Sequence, residues 1–386
     1  MESKVKIFIA TDFRVTKYDN RFYLASQHYH IIERYFDAFG EIVLCARVLN
    51  EAPTDKLIEA TQFLNKVIEV PSLVATLKPG FSKKIRNDLK GCHLFVARFP
   101  SIIACTAYNE VKKCGIPVFA ELMGDVWDGL WNHGIVGKMI APYMFLRTKS
   151  IVKNSDYALY VTTAFLQKRY PCINESVAAS NVLLNEISEE ALECRLKKIS
   201  TMPKTSISLM TTAAVNVKYK GQGYVIKAIP KLNKLGIRVN YYIVGGGDQK
   251  YLHSLAEKLG VSEQVIFTGR LSLSEVFAQI DKTDIYIQPS LQEGLPRSVI
   301  EAMSRGCPCI GARTAGIPEL IEDRFVVKRK SVNDIVDKVK MFCDMPTEEC
   351  KDVAIRNFEE AKKYTEDVLN KRRNEYYAKV KKDLEG

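Results

Sequence analysis

Short runs of apolar, largely β-branched residues recur along the first half of the chain at 5–10, 42–46, 93–97, 118–120 and 158–161, each followed by residues with helical spacing. Unbroken apolar runs predict strands buried on both faces, and their alternation with helices predicts a parallel, doubly wound sheet. A second series of the same kind runs through 206–211, 240–244, 265–268, 284–288 and 308–311 without repeating the sequence of the first. Between the two lies a charged stretch, 186–204, which reads as the connection between domains. The last forty residues carry Lys and Glu with apolar points at Phe358, Ala361, Val368 and Tyr376, the pattern of helices packing back across a hinge.

The length of 386 residues exceeds one ordinary core, and an apolar content of 47% is enough to fill two. The expected boundaries are 1–185 for an N-terminal domain, 186–365 for a C-terminal domain and 366–386 for a helix returning to the first. A net charge of +11 favours phosphate-rich partners, namely nucleic acid, anionic membrane or nucleotides. The excess is spread over both halves with no basic tail, which argues against nucleic acid. Ten cysteines without CxxC spacing read as buried thiols of a reducing compartment, and no stretch is apolar for long enough to span a bilayer. The expected location is cytoplasmic, with any membrane contact peripheral.

The densest chemistry lies at 288–306. An apolar strand ends at Ile287, a loop turns at Gly294, Pro296 suits a first helical position, and Gly306 closes the helix. The loop and helix start, Gly294, Leu295, Pro296, Arg297 and Ser298, would offer backbone N–H groups and the positive end of the helix dipole to a diphosphate. Glu293 in the loop and Glu301 about two turns into the helix could grip a sugar and a ribose diol, since a carboxylate accepts strong hydrogen bonds from vicinal hydroxyls. The alternative is a pair of solvated glutamates. Lys218 and Lys220 precede Gly221 and a helix start, as diphosphate cations or as exposed lysines. Gly245, Gly246, Gly247 and Asp248 turn the chain after a strand but lack the GxGxxG spacing of a dinucleotide site. Gly269 and Arg270 form the next strand-end turn, a place for a base or simply a packed turn.

Glu293 and Glu301 with seven residues between, followed by Ala302, Met303, Gly306, Pro308 and the run Ala315-Gly316-Ile317-Pro318-Glu319-Leu320-Ile321, resemble the signature of the family 4 retaining glycosyltransferases. The resemblance extends upstream over Lys220-Gly221, Gly245–Gly247 and Gly269-Arg270, covering about 205–325. It implies an α/β GT-B fold, two Rossmann-like domains facing across a cleft, with 1–185 binding the acceptor and 186–365 the nucleotide-sugar donor. It further implies transfer from a nucleoside-diphosphate sugar to a hydroxyl with retention, in capsule, exopolysaccharide or lipopolysaccharide synthesis. A UDP-sugar is the expected donor with a GDP-sugar as alternative, the acceptor is a glycan or lipid-linked sugar, and neither cofactor nor metal is implied. Lys220 would neutralise the diphosphate, Glu301 would bind ribose and Glu293 would contact the donor sugar.

The chain departs from that pattern where family members carry an Arg six residues before the diphosphate Lys, for here that residue is Ala214. Lys218 or Arg297 would then substitute. No His follows the strand at 118–120; Glu121, Gly124, Asp125, Trp127 and Asp128 stand there instead, and Trp131 follows. Asp125 is the leading acceptor-orienting or catalytic acid, Glu121 and Asp128 are further candidates, and Trp127 could stack on a sugar; the alternative for Asp125 is a helix-capping acid. Arg98 after its strand is a candidate for an anionic acceptor. Lys83, Lys84, Arg86 and Lys90 around Phe81, Ile85 and Leu89 suggest either a membrane-facing helix or a solvated face over a core stripe. The rival to catalysis is a nucleotide-sugar-binding protein of the same fold that transfers nothing.

Overall fold

The computed structural model describes residues 4–182, 184 and 187–385. The chain forms two compact units, one up to Ala179 together with the chain from Asn370, the other Ser180–Leu369. The boundary expected between Asn185 and Glu186 falls on residues outside the described ones.

Strands of the first unit are β1 (Val5–Tyr18), β2 (Arg21–Ala25), β3 (Gly40–Asn50), β4 (Leu57–Glu59), β5 (Lys66–Val70), β6 (Leu94–Phe99), β7 (Val118–Leu122), β8 (Tyr157–Tyr160) and β9 (Ser176–Ala178). The parallel body of the sheet runs β5-β3-β1-β6-β7-β8-β9, and β2 and β4 add antiparallel pairings beside the far end of β1. Every residue of β6 and β7 is buried, as expected of strands covered on both faces. One face packs on the helix Ser26–Phe39, whose Ile31, Ile32, Tyr35 and Phe39 recur at helical spacing, and on Tyr376, Tyr377 and Val380 of the terminal helix Glu366–Glu385. The Tyr376 hydroxyl accepts from Ala158 N and donates to Glu175 O, docking that helix on β8 and the turn before β9. The C-terminal helix is thus an integral part of the first unit's core.

The second unit is built on β10 (Ser206–Thr212), β11 (Arg238–Val244), β12 (Val265–Gly269), β13 (Ile285–Gln288), β14 (Cys309–Ala312) and β15 (Val326–Val327), in the order β12-β11-β10-β13-β14-β15, all parallel. Two strand series of the same parallel design, on either side of one chain, make this the two-Rossmann-domain fold that the apolar pattern predicts.

The stretch expected to connect the domains is largely helical. It contains the helix Glu189–Thr201, which belongs to the second unit. Arg195 ties it there: it is buried and donates to the carbonyls of Ile280, Thr283 and Arg305 of the same unit. The basic helix is Pro79–Leu89, with Phe81, Ile85 and Leu89 in the core and Lys83, Lys84 and Arg86 outward. Its apolar stripe is consumed by packing, the arrangement of the alternative, a solvated face over a core stripe. Among the described residues no helix is long and apolar enough to cross a membrane.

Candidate active site

At the C-terminal ends of β10 and β13, two loops are locked together. Gly221, at φ 82°, adopts the left-handed conformation, and a Cβ there would overlap the Pro289 carbonyl. Leu291 N donates to Tyr219 O at 2.7 Å, and Gln222 Nε2 to Ala214 O at 3.0 Å. Lys220, last residue of a short helical turn before the helix Gln222–Lys234, is thereby held opposite the 289–296 loop.

Lys220 Nζ lies 2.7 Å from Glu293 Oε1, which also accepts from Gln288 Nε2 at 2.9 Å. The pair is mostly withdrawn from water, the side chains being 21% and 9% exposed. The Gln288 amide is itself fixed: its oxygen accepts from Tyr286 OH at 3.0 Å and Ser298 Oγ at 3.4 Å, and its nitrogen also reaches Ser290 Oγ. A polar chain thus runs from the sheet interior to Glu293, orienting one oxygen. Among the described residues Glu293 Oε2 has no hydrogen-bond partner.

The helix after the loop is shorter than the sequence suggests. It spans Arg297–Met303, Pro296 is its N-cap rather than its first residue, and Glu301 lies one turn in rather than two. Ser304 caps its end before Gly306 turns left-handed. So short a helix carries only a weak dipole, and the charge of any anion here falls mainly to side chains. Glu301 is half-buried, and its carboxylate has no hydrogen-bond partner among the described residues. Burial pushes its carboxyl above the usual range, against the pull of the Arg297 charge. The Gly294 carbonyl accepts from Gly316 N at 2.9 Å, pinning the loop to the start of the next helix. Leu295 is buried beneath it.

On the other flank, Gly245 N donates to Gly269 O at 2.8 Å, and a Cβ on Gly245 would overlap Ala213 O, so the turns after β11 and β12 close on the loop after β10. Arg270 lies across the backbone of Gly246, whose carbonyl accepts from Val215 N at 3.2 Å. It therefore stands beside the loop in which Ala214 replaces the family's Arg. Lys218 is directed elsewhere: its Nζ sits 4.6 Å from the Tyr251 ring centre, lining a recess of about 110 Å³ with Tyr224 and Lys227.

Two further groups escaped the sequence reading. Gln292 Oε1 and Thr212 Oγ1 are buried without a hydrogen-bond partner among the described residues. A polar residue closing an apolar strand, as in the β10 run ending Met210-Thr211-Thr212, was the available signal.

In the first unit, the expected acceptor-side charges are bound up in structure. Asp125 is 3% exposed and caps the helix Val126–Trp131; it accepts from Trp127 N at 3.2 Å and Tyr170 OH at 2.5 Å, and Arg169 Nε lies 2.9 Å away. That is the capping alternative. Arg98 and Glu121 form a buried ion pair with each other, and Tyr35 OH donates to the same carboxylate oxygen at 2.8 Å. Burial raises the Glu121 carboxyl, but the Arg98 charge and the hydrogen bonds from Arg98 and Tyr35 outweigh it and hold the group below its ordinary value. Asp128 is buried as well. Gly124 precedes the Asp125 cap in the turn after β7. Trp127 and Trp131 stack on each other, ring centres 5.1 Å apart. Asp12 accepts from Ser101 Oγ, Ile102 N and Ile103 N, and His28 stacks on Phe13 at 4.5 Å. Burial first, and the Arg98 charge second, push His28 down to about 4. Among the described residues no three His, Cys, Asp or Glu side chains converge as a metal site.

Residues 197–360 match the family described as glycosyl transferases group 1. Protein CapJ of Staphylococcus aureus is 29% identical over 342 residues, covering 85% of this chain and 84% of its own. The putative colanic acid biosynthesis glycosyltransferase WcaL of Escherichia coli (strain K12) is 27% identical over 180 residues, 44% of each chain. In architecture the chain is similar to Anabaena HepE solved in complex with UDP, with a TM-score of 0.65 at 13% identity over 98% of this chain and all of that one.

Proposed function

From a chain of GT-B fold that carries a glycosyl transferases group 1 domain, we propose that the protein moves a sugar from a nucleoside-diphosphate sugar to a hydroxyl of a growing bacterial surface polysaccharide, with retention at the anomeric carbon. The observation that carries the reading is the Lys220–Glu293 pair, fixed at the strand ends of the second unit, with Glu301 in the helix that follows, its carboxylate without a hydrogen-bond partner among the described residues. Capsule or exopolysaccharide assembly is the context suggested by WcaL, and UDP is the nucleotide suggested by HepE.

In this reading Lys220 faces the diphosphate and Glu301 accepts from the ribose diol. Glu293, its Oε1 held by Gln288, presents Oε2 to a donor-sugar hydroxyl. Arg270, rather than Lys218, supplies the cation missing at Ala214, and Arg297 adds a second charge at the helix start. Thr212 Oγ1 and Gln292 Oε1 gain partners on the donor. As the C1–O bond breaks, the leaving diphosphate gains negative charge, which fixed cations stabilise selectively. The acceptor oxygen attacks from the same face, and its proton passes to the departing phosphate oxygen. No protein nucleophile and no metal enters this scheme, so transfer should persist in excess chelator, with product anomers matching the donor by NMR. Binding of UDP without transfer or hydrolysis, for a panel of UDP- and GDP-sugars with extracted glycolipid acceptors, would instead favour a binding protein.

Glu301 gives a pH test. Only the ionised carboxylate accepts from both ribose hydroxyls, and its pKa is raised, so UDP affinity should fall on acidification at a pH above the ordinary glutamate value of about 4.3. Glu301→Gln should weaken UDP binding by about 10- to 100-fold, the worth of charged hydrogen bonds, and flatten that pH step in calorimetric titrations.

A further inference from the structure

The helix Gly134–Lys153 is apolar on two sides, and only one is covered. Gly137, Ala141, Met144, Thr148, Ile151 and Val152 are buried against the rest of the first unit, the small residues allowing close approach; a Cβ on Gly137 would overlap the Leu130 carbonyl. On the opposite side Ile135, Val136, Met139, Tyr143 and Leu146 are 65–79% exposed. Positions 135, 139, 143 and 146 follow one another at helical spacing, a ridge about 16 Å long by the rise per residue. Trp131, 41% exposed, continues the patch at its N-terminal end. Scattered exposed apolar residues need no explanation, but a contiguous row of this kind marks an interaction surface.

Charge says what covers it. The helix carries Lys138, Arg147, Lys149 and Lys153 and no acidic residue. Arg147 is turned inward, bonded to Cys105 O and lying over the Tyr108 ring. Lys138, Lys149 and Lys153 are exposed; by helical phase the first two flank the apolar ridge and the third ends it. Long lysine stems can lie along apolar surface while the ammonium reaches outward to an anion. A protein partner's core patch would be poor in lysine, whereas an apolar ridge edged by lysines with a tryptophan at one end matches an anionic bilayer surface. We propose that this helix lies in the headgroup layer of an anionic membrane, with Ile135, Met139, Tyr143 and Leu146 inserted and Lys138, Lys149 and Lys153 on lipid phosphates. The inference is independent of the donor site in the second unit.

The test is co-sedimentation of the full chain with phosphatidylcholine vesicles, with and without about 30 mol% phosphatidylglycerol. Binding is expected on the anionic vesicles and should weaken as salt is raised to about 0.5 M. The variant Ile135→Gln/Met139→Gln/Leu146→Gln, at exposed positions where glutamine suits a helix, should keep its melting temperature and lose partitioning by on the order of tenfold or more. Lys138→Gln/Lys149→Gln/Lys153→Gln should lose only the preference for anionic lipid. Undiminished binding by the apolar variant overturns the proposal, as does failure of the wild type to bind either vesicle. A concentration-dependent dimer that the same variant abolishes, without vesicle binding, also overturns it and makes the ridge a self-association surface.

Discussion

Replacing Lys220 with alanine is expected to lower the turnover of sugar transfer by about 10²- to 10³-fold, the scale on which one fixed group opposite developing charge acts. The same change leaves Glu293 with Gln288 as its remaining hydrogen-bond donor in a mostly buried place, at a cost of about 1–3 kcal/mol for the lost charged partner. Turnover and chemical denaturation together separate the two consequences. The decisive comparison is Lys220→Ala/Glu293→Gln against Glu293→Gln alone, because Glu293 contributes to transfer in its own right. If Lys220 does no more than neutralise Glu293, the double variant turns over no more slowly than Glu293→Gln. If it faces the leaving diphosphate, the double variant stays at least about 10²-fold below Glu293→Gln although removing both charges restores stability. Lys220→Arg keeps the charge and should retain more activity than alanine. Equal turnover of the double variant and Glu293→Gln would sink the diphosphate role.

The second unit was the more legible half, and the reason is local. Strands β10, β11, β13 and β14 lie inside the sheet and β12 at its edge is still mostly apolar, so each reads as an apolar run, and the expected bounds fall within about two residues of those observed. The loops at the strand ends of this unit carry their own punctuation of Gly, Pro and isolated charge. Their mutual contacts join positions that the topology brings to one sheet edge, so residues picked separately, Lys220 and Glu293 among them, meet in space. The first unit hid more. Strands β2, β4 and β9 are short and partly exposed, and β1 continues through Asp12 and Arg14 to Tyr18 across a bulge, so its polar stretch resembled a loop. The partnership of Arg98 with Glu121 depends on the register of β6 on β7, and that with Tyr35 crosses 86 positions. One clue was present: a charge inside an otherwise apolar strand must be paired. Arg98 and Glu121 both met that description, and the pairing rule would have joined them before any ligand was invoked.

Arg98→Ala should accordingly destabilise the first unit by about 3–5 kcal/mol, the cost of stripping one partner from a buried pair, rather than act on an acceptor site. The charge left behind faces Arg34, Tyr35 and Tyr377 from the first and last helices of that unit, with Arg34 moderating the loss. Its pH dependence has a definite sign. Because Glu121 is held below its unfolded value, the wild type has the full stabilisation above the ordinary carboxylate range and loses it as pH falls through the depressed value. The variant lacks that stabilisation, so the gap between the two proteins should be widest near neutrality and narrow toward acid, as urea titrations across that range would record. Arg98→Met/Glu121→Leu, which removes both charges at similar volume, should recover most of the stability. If that double variant is stable yet cannot transfer sugar while binding UDP normally, Arg98 or Glu121 serves the acceptor after all. Retained transfer assigns the pair to the architecture of the first unit.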